Sequence, residues 1–304
     1  MATVADRGAK GSMADQADLV ARLEKLQSLM ANMNERLDRV ESKLSAVVRM
    51  TMIREPAADV LGDLDRRRFA YSSQHEEDGM LYALFSYTGT PTRWFVEIGC
   101  GSNGGNSGFL ARECGWSGLM VDAVERAVRK AANRYDRHRV RFDTLRVSSK
   151  NVAALLAKHG TPEEPDLVSV DIDSTDYWVV RALTANYRPR VLVVEYNSVY
   201  GPTEAVTVPD VEVFVRSPKG AHHQYYGASL NAFVRLGQKR GYRLITTDST
   251  GTNAVFLRND VGPEIAAADP AKAFRYYFGH QQVVDEIGDA AMVFRTSGLT
   301  LVEV

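Results

Sequence analysis

The run Phe95-Val96-Glu97-Ile98-Gly99-Cys100-Gly101-Ser102-Asn103-Gly104-Gly105-Asn106 decides how this chain folds. Its apolar start predicts a buried strand over 94–98. The acid and glycines that follow predict a sharp turn into a helix over 106–114. Glycines at 99, 101 and 104 permit positive φ and let the backbone approach a ligand more closely than a Cβ would allow. Such a turn between strand and helix is where an open α/β sheet holds an adenosine-type cofactor.

Taken literally, Gly99-Cys-Gly101-Ser-Asn103-Gly104 is the GxGxxG of a dinucleotide fold, and Asp122 follows at a spacing suited to a ribose. Three features favour S-adenosylmethionine over NAD. Glu97 stands two residues before the first glycine, where a pyrophosphate gains nothing from an anion but an ammonium or sulfonium does. Gly118-Leu-Met-Val-Asp122 is a second short strand ending in an acid able to bind both ribose hydroxyls. Asp166-Leu-Val-Ser-Val-Asp171-Ile-Asp173 is a later strand whose carboxylates face the same edge if the sheet is parallel. The expected cofactor site is therefore Glu97, Gly99, Gly101, Asn103, Asp122 and Asp171.

Outward from this turn, the sequence alternates strands and helices. Strands are predicted at 94–98, 118–122, 140–146, 166–171 and 190–195, with helices at 106–114, 124–134, 150–159 and 176–185. That alternation predicts a doubly wound, mostly parallel sheet with helices on both faces. A long connection over 196–226 leads to a helix at 228–240 and strands at 242–247 and 253–258. The tail from Asp269 reads as a helix followed by a short edge strand. Before the sheet, Asp65–Tyr87 reads as one or two helices, with Ser72 or Ser73 as N-cap and Glu76, Glu77 and Asp78 in the first turn.

The order ExGxG, strand-end Asp, strand-end DxD, then "RPRVLVVEYNSVYGP" resembles a class I methyltransferase, and within that superfamily the FkbM-like branch and its bacterial relatives. "SSQHEEDGML" (72–81) is similar to the opening segment of that group. "YYGASLNAFVRLGQKRGYRLITTDSTGTNAVFLRND" (225–260) is similar to its closing helix and hairpin. The resemblance covers residues 70–260. It implies a seven-stranded Rossmann-like sheet with an antiparallel strand among 242–247 and 253–258, a methyltransferase activity, and neighbouring positions for the strands ending at Asp171 and Glu195. "GSNGGNS" departs from relatives that carry an acidic or bulkier residue after the second glycine.

With neighbouring strands, Asp171, Asp173, Glu195 and Asn197 converge beside the methyl donor. Period-two spacing puts Asp171 and Asp173 on one face, and Glu195 and Asn197 likewise. Asp171, Glu195 and Asn197 form an oxygen set suited to Mg²⁺ or Ca²⁺. The competing roles are helix capping and holding the cofactor amine. Asp176 reads as a first-turn helix acid. His222 and His223, in the long loop, are the candidate bases for an acceptor hydroxyl. They are indistinguishable from sequence, with Asp173 as the alternative. Tyr196, Tyr200, Tyr225 and Tyr226 offer faces for stacking on a sugar or for packing the loop. The expected reaction is O-methylation of a small sugar-like or glycosylated acceptor. An NAD-dependent oxidoreductase and a non-catalytic coiled-coil scaffold are the competing readings. The first lacks a catalytic Tyr-x-x-x-Lys, and intact acids at 97, 122, 171 and 195 oppose the second.

Before all this lies a heptad stripe. Leu19, Leu23, Leu26, Met30, Met33, Leu37, Val40, Leu44 and Val47 recur at alternating steps of four and three, which predicts a coiled coil. The segment 17–48 would form a rod of roughly 50 Å through which copies associate, with dimer, trimer and tetramer all open. Domain boundaries are expected as a tail or cloning scar at 1–13, a coiled-coil helix at 14–54 and a methyltransferase domain at 60–304. The chain has 304 residues, 45% hydrophobic and 25% charged, with formal net charge −1. That balance gives no general field for nucleic acid or an anionic membrane. No apolar run reaches the length of a membrane span and no secretory leader is legible. Cys100 and Cys114 lack metal-site spacing and read as free thiols in a reducing cytoplasm.

Overall fold

Strand β1 (Trp94–Ile98) is an inner strand of a seven-stranded sheet. β2 (Ser117–Asp122) and β3 (Val140–Thr144) continue from it on one side. β4 (Leu167–Val170) and β5 (Val191–Glu195) lie on the other. These five strands are parallel. β1 is thus where the strand order reverses, and its carboxyl end opens on the crevice where such sheets bind ligands. The hairpin β7 (Tyr242–Thr247) and β8 (Asn253–Arg258) closes the other edge, with β8 antiparallel to β5. This is the doubly wound, mostly parallel seven-stranded sheet that the sequence predicts.

The computed structural model describes residues 5–52, 64, 66–217 and 221–304. Central strands are apolar almost throughout, because helices cover both faces. Val96, Ile98, Val168, Val170, Leu192 and Val194 enter one core with Leu155 and Leu156 of the helix Val152–Lys158 and Phe233 of the helix Leu230–Arg240. Ser229 caps the latter by accepting the Ala232 N–H, and Gly241 ends it in the left-handed region.

Three expectations change. The helix after the glycine turn is shorter than 106–114: a 3₁₀ turn at Gly105–Ser107 precedes Gly108–Arg112. Neither Ser72 nor Ser73 caps the helix Glu77–Thr88, whose N-cap is Glu76. Asp78 instead accepts the N–H groups of Tyr71, Ser72 and Ser73, folding 71–73 into a tight loop. The tail holds three short helices, Pro270–Ala273, Phe278–Ile287 and Ala290–Thr296, before β9 (Val302–Glu303) pairs with β6 (Val206–Thr207). Ala290, Ala291 and Phe294 pack on Val199, Tyr200 and Val206. The tail therefore folds back over the long connection after β5.

Two compact units divide the chain, Met1–Pro56 and Ala57–Val304. The first contains one helix, Ala5–Met52, which begins inside the segment expected as a tail. Its stripe residues Leu19, Leu23, Leu26, Met30, Met33, Leu37, Val40 and Leu44 are each more than half exposed. Among the described residues, no helix is long and apolar enough to cross a membrane.

Candidate active site

At the end of β1 the chain turns through Gly99 at φ +94°, where a Cβ would collide with the carbonyl of Asp171 at the end of β4. The N–H groups of Gly99 and Cys100 both donate to Val121 O on β2. Gly101, at φ +55°, donates its N–H to Asp122 Oδ2 at 2.9 Å, and Asp122 Oδ1 accepts the Val124 N–H at 2.7 Å. Asn103 anchors the turn by donating Nδ2–H to Ser72 O at 2.7 Å and accepting from the Tyr135 hydroxyl.

Glu97 does something other than expected. It is fully buried, and its carboxylate accepts the N–H groups of Asn106 and Ser107 at 3.1 and 2.9 Å and the Ser107 hydroxyl. Burial pushes its pKa up to about 8 against the downward pull of those bonds. Glu97 ties β1 to the start of the next helix and does not line the crevice.

Two adjoining cavities open at the carboxyl edge. One, of about 470 Å³, runs from Arg146, Asp122 and Val124 across Gly99, Gly101, Asn103 and Gly105 to Asp171 and Asn253. The other, of about 310 Å³, is lined by Glu195, Tyr196, Arg216, His223, Tyr226, Tyr277 and His280. Gln74, Asp171 and Asp173 line both. The first cavity is within the range of small-molecule and cofactor sites. The residues present suit S-adenosylmethionine: glycines that permit close approach, a partly exposed carboxylate at Asp122 for hydroxyls, and acids at the far end for a cationic group.

Half-buried Asp171 and buried Glu195 act on each other's ionisation from the ends of the neighbouring strands β4 and β5. Two carboxyls that interact in this way each make the other harder to ionise. Burial, then the charges of Asp176 and Asp173, raise Asp171 to about 7. Glu195 is pushed well above the usual carboxylate range, first by burial and then by Asp171. Asp176, raised to about 6 by burial, accepts the N–H groups of Ile172 at 2.8 Å and Ser174 at 3.0 Å, so the first-turn acid also shapes the loop after β4.

A hydrogen-bonded chain backs this pair. The Tyr226 hydroxyl donates to Glu195 Oε1 at 3.3 Å. His280 Nε2 lies 3.4 Å from that hydroxyl, and His280 Nδ1 is 2.9 Å from Ser198 Oγ, which accepts the Tyr277 N–H at 2.9 Å. Burial lowers His280 to about 4, so the ring is neutral and bridges the two hydroxyls. Asp173 holds a positive φ of 54° and accepts from Arg216 Nη1 at 2.5 Å, while that guanidinium stacks 3.8 Å above the Tyr226 ring. Strain at a non-glycine residue beside a crevice accords with a functional turn.

The expected metal set does not assemble. Asn197 is buried and lines neither cavity; its Nδ2 donates to Gln224 O and Tyr226 O at 2.7 and 2.9 Å, and its Oδ1 accepts the Val199 N–H at 3.0 Å. It holds the turn after β5. Among the described residues no group of three His, Cys, Asp or Glu side chains could hold a metal ion. The donors therefore do not fit a divalent cation.

The two loop histidines separate. His222 is exposed, packs edge-on against Phe294, and lines neither cavity. His223 lines the smaller cavity, and its Nδ1 is held by Ser217 O at 2.6 Å, leaving Nε2 as an acceptor. Sequence reasoning passes over His280, Arg216 and Asn253. His280 lies in the tail, Arg216 in a polar stretch of the long connection, and Asn253 inside a hairpin strand. Period and motif carry no signal for any of them.

No family model matches the chain, and no curated protein matches it. Among solved structures it is similar to a TehB-like SAM-dependent methyltransferase from Corynebacterium glutamicum, at 12% identity and TM-score 0.34 over 54% of this chain and 79% of that one. It is also similar to an S-adenosylmethionine-dependent methyltransferase from Clostridium acetobutylicum, at 12% identity and TM-score 0.37 over 56% and 86%. The N-terminal domain of EvdMO1, solved with SAH bound, aligns at 13% identity and TM-score 0.39 over 66% and 82%.

Proposed function

We propose that the protein is an S-adenosylmethionine-dependent methyltransferase that methylates a hydroxyl of a small, sugar-like acceptor. The observation that carries this reading is Asp171. It stands on the partition between a glycine-floored cavity with a ribose-type acid and a second cavity faced with tyrosines. The bound cofactor supplies an activated methyl on a sulfonium. The chain's part is to hold the acceptor oxygen in line and to remove its proton. Asp171, raised to about 7, is ionised in a large fraction at neutral pH and still basic enough to take a hydroxyl proton. Tyr226, backed by His280, holds Glu195 in place. Tyr196, Tyr226 and Tyr277 give the acceptor cavity aromatic faces with polar tips, which suit a sugar. The resemblance to the FkbM-like branch supports the same acceptor class.

His223 is the second reading for the base, favoured by the bond that fixes its Nδ1 and leaves Nε2 free to accept. It lines only the acceptor cavity, whereas Asp171 lines both, which is why Asp171 is preferred. Side-by-side calorimetric titration with S-adenosylhomocysteine and NAD tests the reading. Micromolar binding of the first alone is expected; binding of NAD alone would overturn it.

A further inference from the structure

One buried atom of a residue that lines the cofactor cavity has no partner. Asn253 is 3% exposed, and its Oδ1 is buried without a hydrogen bond. Its Nδ2 donates to Glu77 Oε1 at 2.8 Å, and Glu77 is itself fully buried and accepts the His75 N–H at 3.2 Å. That contact fixes the amide. Turning it over would set its oxygen against the Glu77 carboxylate and leave both without a donor. The backbone is fixed as well, because the Asn253 N–H donates to Asp248 Oδ1 at 3.1 Å and Asn253 pairs across the sheet with Glu195. A buried acceptor held this firmly and left open costs free energy unless a donor arrives.

The surroundings say which donor. At the opposite end of the cavity stand Arg146, the one cationic side chain of its wall among the described residues, and Asp122, the acid suited to hydroxyls. At the Asn253 end the wall carries Asp171 and Asp173; Asp173 is paired with Arg216, and among the described residues Asp171 has no cationic partner in that wall. Glu97, the acid expected to meet a cationic group, is turned away into the Asn106–Ser107 turn.

We propose that Asn253 Oδ1, oriented by Glu77, is the acceptor for the ammonium of the cofactor's amino-acid end, within the negative field of Asp171. The inference rests on the S-adenosylmethionine reading above and deepens it by naming the side chain that meets the cofactor's amino-acid end.

Calorimetry with two probes tests it. S-adenosylhomocysteine carries the ammonium; 5′-methylthioadenosine lacks the amino-acid end. In Asn253→Ala, affinity for S-adenosylhomocysteine should fall about tenfold or more, the loss of one hydrogen bond to a charged group. Affinity for 5′-methylthioadenosine should stay within about twofold on the same scale. Should Asn253→Ala leave Glu77 buried alone and fail to fold, the double variant Glu77→Leu/Asn253→Leu replaces both partners by apolar groups and carries the same expectation. Equal losses for both probes, or no loss for S-adenosylhomocysteine, overturn the assignment while leaving the cofactor reading intact. Wild-type protein that binds neither probe overturns both.

Discussion

Replacing Asp171 by Asn removes the proposed base while keeping its shape. General-base catalysis contributes about 10²- to 10⁴-fold, so turnover should fall by that factor. The pH dependence is the sharper test. With Asp171 raised to about 7, kcat/KM of the wild type should climb through neutrality and level off above it. One unit below that midpoint only about a tenth of the base is ionised, so the rate there should be about tenfold under the plateau. Asp171→Asn should lose this limb. The assay is methyl incorporation into acceptors drawn from hydroxylated sugars and glycosides, run across pH 5.5–9 (roughly the span over which the group titrates). Calorimetry with S-adenosylhomocysteine runs in parallel and should change far less than turnover. An Asp171→Asn enzyme with near wild-type rate and an unchanged profile would refute the assignment; loss of the limb in His223→Ala alone would move the base to His223.

At the other end of the cavity, Asp122→Ala removes charge-assisted bonds to hydroxyls worth about 1.5–3 kcal/mol each. Calorimetry should therefore show at least about a tenfold loss of S-adenosylhomocysteine affinity with circular dichroism unchanged. Stability should respond to pH through the buried acids. Asp171, near 3.8 unfolded and about 7 folded, binds its proton more tightly in the folded state. Its contribution is fully present below pH 3.8 and is lost as pH rises toward 7, so this term should depress the melting temperature across that window and then level off. Glu195 acts with the same sign. Thermal scans in which Asp171→Asn has the same pH slope as the wild type would contradict this. Removing residues 1–56 should reduce the mass found by light scattering while preserving cofactor binding, since Ala57–Val304 is a compact unit with its own core and the heptad seam is exposed.

The alternating elements are legible in the sequence because the parallel strands are short apolar runs that must be buried on both faces, and few other environments accept them. The glycine turn is legible for a related reason: φ of +94° at Gly99, against the backbone of Asp171, admits no side chain. Asp122 and Asp171 follow from their strand-end positions in a parallel sheet. The 4–3 stripe of residues 19–47 can be read off the sequence in the same way.

What each polar group does once it reaches the edge is decided by tertiary structure alone. Glu97 and Asn197 stand at positions as suggestive as those of Asp122 and Asp171, yet both turn inward to satisfy backbone groups of nearby turns. Sequence cannot distinguish a carboxylate facing a ligand from one facing N–H groups, because the local pattern is the same. His280 and Ser198 are 82 residues apart, and Asn253 and Glu77 are 176 apart. Each pair meets only because the tail helices bury Ala290, Ala291 and Phe294 on the segment after β5 and the hairpin closes antiparallel beside it. Periodicity fixes which residues are buried within an element; the packing of distant elements fixes which buried polar groups find one another.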